Sequence, residues 1–378
     1  MTQALKVASA AVLSVVVIGL LCGAVAAQAR GPIEPPGAPM WGTPAPYFDS
    51  QYQVYEQSFR YTSPFSITDL RPEERYADKE NFNIRTLTVY RPYTNGVLLQ
   101  NRPVVFYIHG GGWTDGYAEW YSYTAKSLTG ELGWVTVVVD YRLTSDEVFV
   151  ADEYCPDKVT CALTQNVALR TKAAWYDDNI TDVAAAFEWV RDNISVNGGD
   201  GRNIFVFGHS AGAHLATLLT THPTLAALRP HIQGLISMSG AYDLTAFDDT
   251  LPEQVFWSAS VSQTFPGGFS NVGLLTDASP VNYITTTTPL PPILIYYAED
   301  DLLGLTQQAV AFDNLLTTQG HAHDTHYLAG YGHVSEMDAI EFITSPVTID
   351  LVNWLSAHVE YRVYLPVVDN GYNGPAGR

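Results

Sequence analysis

The pentapeptide Gly208-His209-Ser210-Ala211-Gly212 constrains this chain more than any other segment. Before it, Asn203-Ile204-Phe205-Val206-Phe207 is a short apolar run that predicts a buried strand. After it, Ala213-His214-Leu215-Ala216-Thr217-Leu218-Leu219-Thr220 predicts a helix. A serine caught between the two must sit in a sharp strand-to-helix turn, with its backbone strained and its hydroxyl presented outward. Glycines two positions before and two after it keep that turn free of steric clash. The pattern predicts an α/β architecture with Ser210 as candidate nucleophile.

A second motif lies upstream. His109-Gly110-Gly111-Gly112-Trp113 follows the apolar run Val104-Val105-Phe106-Tyr107-Ile108, another strand candidate. Consecutive glycines let backbone amides turn toward a ligand without side-chain obstruction. With a serine nucleophile downstream, the amides of Gly111, Gly112 and Ala211 are the candidate oxyanion hole. The competing reading is a glycine turn that merely ends a strand.

A serine nucleophile needs a base, and the base needs an orienting acid; on this kind of elbow the chain order is serine, acid, histidine. The run 293–297 is a strand candidate that ends in Ala298-Glu299-Asp300-Asp301, which places a carboxylate at a strand's carboxyl end. Asp301, three positions after the small residue Ala298, is the candidate acid, and spacing leaves Asp300 open. Gly332-His333 follows a further strand candidate, so His333 is the candidate base. It must be neutral to act, and the rate should therefore fall on the acid side. His109, His209 and His214 read as residues that bond backbone or pack. On a strand His321 and His323 share a face and His326 points away. No cysteine or second carboxylate cluster completes a ligand set, so neither a metal nor a cofactor is expected.

With these motifs the chain resembles the alpha/beta-hydrolase fold, in the esterase branch that carries His-Gly-Gly-Gly and Gly-x-Ser-Ala-Gly. That branch includes hormone-sensitive-lipase-like carboxylesterases and the bacterial feruloyl-esterase/carboxylesterase group. The resemblance covers roughly residues 80–360. Trp189-Val190-Arg191-Asp192-Asn193-Ile194 with Gly198-Gly199-Asp200 is similar to the run before the elbow in type-B carboxylesterases, although an aspartate stands here at the acid position. Ala278-Ser279-Pro280-Val281-Asn282-Tyr283-Ile284 resembles the link before the acid-bearing strand in the feruloyl-esterase group. The string from Gly208 to Leu215 is also similar to kynurenine formamidases. Those usually replace the third glycine of the upstream motif, whereas Gly112 is present, which favours esterase over formamidase. The resemblance implies a mostly parallel sheet flanked by helices and a Ser210–His333–Asp301 triad working on esters of short acyl or aromatic acids through an acyl-enzyme. An arylformamidase or amidase is the alternative chemistry. A secreted peptidase and a non-catalytic binding member of the fold are further rivals.

The chain has 378 residues, 47% of them hydrophobic, enough for one large core. A net charge of −20 argues against nucleic acid and anionic membrane as partners; a small-molecule ester is the expected one. Lys6, the apolar stretch 7–27 and Ala27-Gln28-Ala29 read as a signal peptide over 1–29, hence secretion or a periplasmic location, with an uncleaved anchor through 7–27 as the alternative. Cys155 and Cys161 then form an even pair in an exported chain, and a disulfide is expected between them. Residues 30–80 read as an extended arm, 81–360 as the catalytic domain and 361–378 as a tail. Within the domain, 144–177 is long for a connection and reads as an insertion. The segment 244–280 holds Phe247, Phe256, Trp257 and Phe265 and reads as a cap or pocket wall, with ordinary packing on the sheet as the alternative. Trp113 and Trp257 are the candidate substrate-binding side chains.

Overall fold

The computed structural model describes residues 51–61, 85–145, 147–149, 170–172, 174–247 and 252–359. The segment 1–29, the Cys155–Cys161 pair and the tail 361–378 lie outside these residues. No helix among the described residues is long and apolar enough to cross a membrane.

The strands are β1 (Gln53–Arg60), β2 (Thr86–Thr94), β3 (Val97–Leu98), β4 (Arg102–Ile108), β5 (Val135–Val139), β6 (Glu147–Phe149), β7 (Arg170–Lys172), β8 (Gly199–His209), β9 (Ile232–Met238), β10 (Ile293–Asp300) and β11 (His323–Gly332). The main sheet runs β1-β2-β5-β4-β8-β9-β10-β11, with the short β3 hairpinned onto β2. From β5 to β11 every neighbouring pair is parallel. Parallel neighbours need crossover connections, and helices supply them. They are α1 (Ser122–Leu132), α2 (Tyr176–Asn193), α3 (Ala211–Thr221), α4 (Pro252–Thr264), α5 (Val272–Asp277), α6 (Leu305–Gln319), α7 (Ser335–Asp338) and α8 (Pro346–His358).

Period-two alternation divides the core into two layers. Val104, Phe106 and Ile108 of β4, with Ile204 and Val206 of β8, join Val183, Phe187 and Val190 of α2 and Leu215 and Leu218 of α3. Val105 and Tyr107, with Phe205 and Phe207, join Leu128 of α1 and Leu351, Trp354 and Leu355 of α8 on the opposite face. A sheet buried on both faces explains why β4, β5 and β8 read as continuous apolar runs. The helix α8 starts as its sequence dictates: the Ser345 hydroxyl accepts from the Val347 amide, and Pro346 occupies the first turn, where its missing N–H costs nothing.

One segment departs from the sequence reading. The expected arm 30–80 contains β1, which pairs antiparallel with β2 from Gln53↔Tyr93 to Arg60↔Thr86. Val54 and Phe59 of β1 are buried in opposite core layers, so the sheet begins ahead of residue 81. Inside 144–177, β6 and β7 form a small antiparallel ribbon apart from the main sheet.

Candidate active site

In a parallel sheet all strands present their carboxyl ends at one edge, and the crevice there is the natural place for a ligand. Ser210 follows β8, Asp301 follows β10 and His333 follows β11, so three distant parts of the sequence arrive at one edge. Ser210 has φ 57 and ψ −123, a positive φ that a side chain disfavours. Its amide donates to the Met238 carbonyl at 2.9 Å and its own carbonyl accepts from the His214 amide at 3.1 Å, so hydrogen bonds on both sides hold the strained residue. Glycine is required around it. A Cβ on Gly208 would stand 2.2 Å from the Gly212 carbonyl oxygen, and one on Gly212 would stand 2.1 Å from that of Ile108.

Of the two adjacent acids, Asp301 is the one that meets the histidine: its Oδ1 lies 2.6 Å from His333 Nδ1. Asp301 also accepts from the Ser239 hydroxyl at 2.5 Å and from the Leu302 amide at 2.8 Å. Burial alone would push its carboxyl up. The bond and charge of His333, with the donors on Ser239 and Leu302, outweigh burial and hold it below its ordinary value. Asp300 meets the base through its backbone, its carbonyl accepting from the His333 amide at 3.3 Å. His209 braces the base. Its Nε2 donates to the His333 carbonyl at 2.8 Å and its ring stands 4.7 Å from the His333 ring. Burial, then the neighbouring His333, lowers the His209 pKa to about 3, so this ring stays neutral.

The glycine motif after β4 forms a tight loop. The Gly111 carbonyl accepts from the amides of Thr114 at 3.1 Å and Asp115 at 2.9 Å. Gly111 and Gly112 have φ 121 and 61. Ala211 opens α3, where first-turn amides have no partner inside the helix. Among the described residues, no protein acceptor pairs with the amides of Gly111, Gly112 or Ala211. A Cβ on Gly110 would stand 3.1 Å from Ser210 Cβ, so this loop lies directly beside the elbow. A Gly111→Ala change would put a methyl 1.9 Å from the Asp115 carbonyl oxygen at a φ that only glycine tolerates. It is expected to cost about 2–4 kcal/mol, readable by thermal unfolding, and to lower turnover together with stability.

Trp113 and Trp257 are both buried, at 1% and 4% exposure, so neither offers an open face to a ligand in this conformation. They pack 6.4 Å apart, with Phe265 beside Trp113. Trp113 Nε1 donates to His214 Nδ1 at 3.1 Å, and His214 Nε2 donates to the Ala278 carbonyl at 2.7 Å. The imidazole of His214 therefore ties the glycine loop, the elbow helix and the segment 244–280 together; burial drops its pKa to about 4. That segment is ordinary packing at Trp257 and Phe265 and a wall at Ser260, whose Oγ would lie 3.1 Å from a Cβ on Gly112.

His321, His323 and His326 do not converge. They bond the Thr285 carbonyl, Asp313 and Asp350 respectively. The histidine–carboxylate group found among the described residues is instead His209, His333 and Glu336. Ser239 and Glu336 were not visible as site residues from sequence. Ser239 has a positive φ of 49 directly after β9, as Ser210 has one of 57 directly after β8, a backbone feature that no local sequence pattern marks.

Ser210 stands at the same carboxyl edge of a doubly covered parallel sheet as the bonded Asp301–His333 pair. The family described as alpha/beta hydrolase fold matches residues 105–174, and the family BD-FAE matches residues 164–316. The chain has the alpha/beta-hydrolase fold. Esterase B from Lactobacillus rhamnosis (HN001) superposes with a TM-score of 0.60 over 94% of this chain and 96% of that one, at 16% identity, which is a likeness of fold. The probable carboxylic ester hydrolase LipM of Mycobacterium tuberculosis is 29% identical over 217 residues, 56% of this chain and 44% of LipM. The probable N-octanoylanthranilate hydrolase AqdA2 of Rhodococcus erythropolis is 38% identical over 112 residues, 30% of this chain and 20% of AqdA2. The matches span less than half the length of these curated relatives.

Proposed function

We propose that this alpha/beta hydrolase is an exported serine esterase for carboxylic esters of short acyl or aromatic acids. The observation that carries the chemistry is the 2.6 Å contact of Asp301 with His333 Nδ1, at the same sheet edge as a serine on a strained elbow. Asp301 holds the imidazole with its proton on Nδ1, which leaves Nε2 as the basic nitrogen. Ser210 attacks the ester carbonyl and His333 takes its proton. The amides of Gly111, Gly112 and Ala211 stabilise the oxyanion. His333 then protonates the leaving alcohol, and water, activated by the same imidazole, releases the acid from the acyl-enzyme.

Export rests on the N-terminal sequence pattern, with the Cys155–Cys161 disulfide as its corollary. The substrate range rests on the sequence resemblance to carboxylesterases and feruloyl esterases, since Trp113, Trp257 and Phe265 are taken up in packing. Short p-nitrophenyl esters and feruloyl sugars are expected to turn over faster than long-chain triglyceride emulsions. Faster hydrolysis of the emulsions would overturn that range. Amide hydrolysis is the second reading, favoured by the 38% match to AqdA2. It uses the same residues with an amine as leaving group, and higher kcat/KM on N-acyl or N-formyl substrates than on matched esters would establish it.

A further inference from the structure

Behind the candidate base lies a carboxyl group for which the mechanism above has no use. Glu336 stands three residues after His333, in the first turn of α7, and is completely buried. Neither of its oxygens has a hydrogen-bond partner. Its Oε1 lies 3.7 Å from His209 Nε2, and Glu336, His209 and His333 each bring a polar atom to within 4.8 Å of the others.

The neighbours of Glu336 decide its charge. Asp301 is a second carboxylate in the same space, held ionised by His333, Ser239 and Leu302. Tyr107 of β4 and Tyr242 after β9 are buried phenols kept neutral, mainly by their own burial. His209, at the end of β8, is neutral and spends its Nε2 hydrogen on the His333 carbonyl. Ser239 is near enough to favour the Glu336 carboxylate, but it has one hydroxyl hydrogen and gives it to Asp301. Among the described residues no lysine or arginine pairs with Glu336. A buried carboxylate without a cation or a free donor is costly, and a second anion beside Asp301 raises that cost. Burial first, then Asp301, pushes the Glu336 carboxyl well above its usual range.

We propose that Glu336 is a positioning acid, standing neutral and protonated behind the His209–His333 pair so that Asp301 is the only negative charge on the base. The proposal rests on the serine-hydrolase reading above. Its consequence is functional. A second anion this close would favour the imidazolium form of His333 and leave less free base at neutral pH. A neutral acid fills the same space and props the imidazole without that effect.

The test combines three readouts on the full chain. The infrared difference spectrum of wild type minus Glu336→Gln at neutral pH is expected to contain the carbonyl stretch of a protonated carboxylic acid. The acid limb of kcat/KM on p-nitrophenyl butyrate is expected to stay at the wild-type pH in Glu336→Gln, while Glu336→Ala, which leaves a void behind the imidazole, loses on the order of tenfold or more in kcat. The third readout is stability. A carboxyl raised in the folded state contributes stability that is present below its unfolded value, about 4.3, and lost as pH rises toward the folded value. The Tm of Glu336→Gln should therefore gain on wild type as pH rises from about 4 to 8. Absence of the protonated-acid band, a Tm difference that stays flat with pH, or an acid limb displaced downward by about 1 pH unit in Glu336→Gln would each overturn the proposal. Glu336→Met supplies the same difference spectrum if the glutamine variant does not fold. A wild-type chain that hydrolyses no ester would end the esterase reading, while the infrared band and the Tm comparison would still report the state of Glu336.

Discussion

Ser210→Ala is expected to abolish turnover, by on the order of 10³-fold or more in kcat, while leaving the fold intact. Only a hydroxyl is removed at the strand-to-helix turn, so the surrounding hydrogen bonds of the elbow, all made by backbone atoms, survive. Stability should stay within about 0.5 kcal/mol of wild type. Ser210→Gly separates function from folding more sharply. With φ 57 and ψ −123, the serine stores strain of about 1–3 kcal/mol that glycine would release. The glycine variant is therefore expected to be as inactive as the alanine variant and no less stable than wild type. Near-normal hydrolysis by either purified variant would remove Ser210 from the role of nucleophile. Labelling of wild type, but not of Ser210→Ala, by a serine-directed phosphonate would separate an enzyme from a non-catalytic member of the fold.

The parts of the site that are legible in sequence share a local physical cause. The elbow shows because a strained turn between a strand and a helix demands glycine at 208 and 212, where any Cβ would meet backbone within about 2.2 Å. The glycine loop shows for the same reason: Gly111 accepts from two amides at once and cannot carry a side chain. The central strands show because both of their faces are buried. What the sequence hides depends on partners far along the chain. In β1, Gln53-Val54-Tyr55-Glu56-Gln57-Ser58-Phe59-Arg60 is a polar edge strand with few apolar residues, and only its pairing with β2 makes it regular. Trp113 reads as a pocket wall until its indole is found bonded to His214, 101 residues away. Glu336 looks like an ordinary acid in the first turn of a helix, a common and usually exposed position. Its burial comes from packing across three strand ends, which no local pattern encodes.

Asp301→Asn should lower kcat by on the order of 10³–10⁴-fold, and Asp300→Asn should stay within about threefold of wild type. The two residues are neighbours at a strand end, where a slip of one position reverses the direction of every side chain. Here the register is held by the parallel pairing of β10 with β11, which runs in step from Ile293↔His323 to Ala298↔Leu328 and shifts only before Asp300↔Gly332. That irregularity puts the Asp300 carbonyl on the His333 amide and frees the next residue to turn its carboxylate under the imidazole. In the Asp301→Asn variant the imidazole would face an amide of either polarity. That amide would no longer stabilise the imidazolium that forms when Ser210 gives up its proton, and the tautomer with its hydrogen on Nδ1 would lose its fixed acceptor. The Ser239 hydroxyl and the Leu302 amide, which now converge on a carboxylate, would lose charge-assisted bonds, so a modest loss of stability should accompany the loss of rate. Asp300 serves the base through its backbone carbonyl, which the Asp300→Asn change keeps. Steady-state kinetics on p-nitrophenyl butyrate, with unfolding curves for both variants, decide the matter. A crippled Asp300→Asn beside a nearly normal Asp301→Asn would transfer the acid role to Asp300 and would mean that the strand end of β10 turns one residue earlier than described.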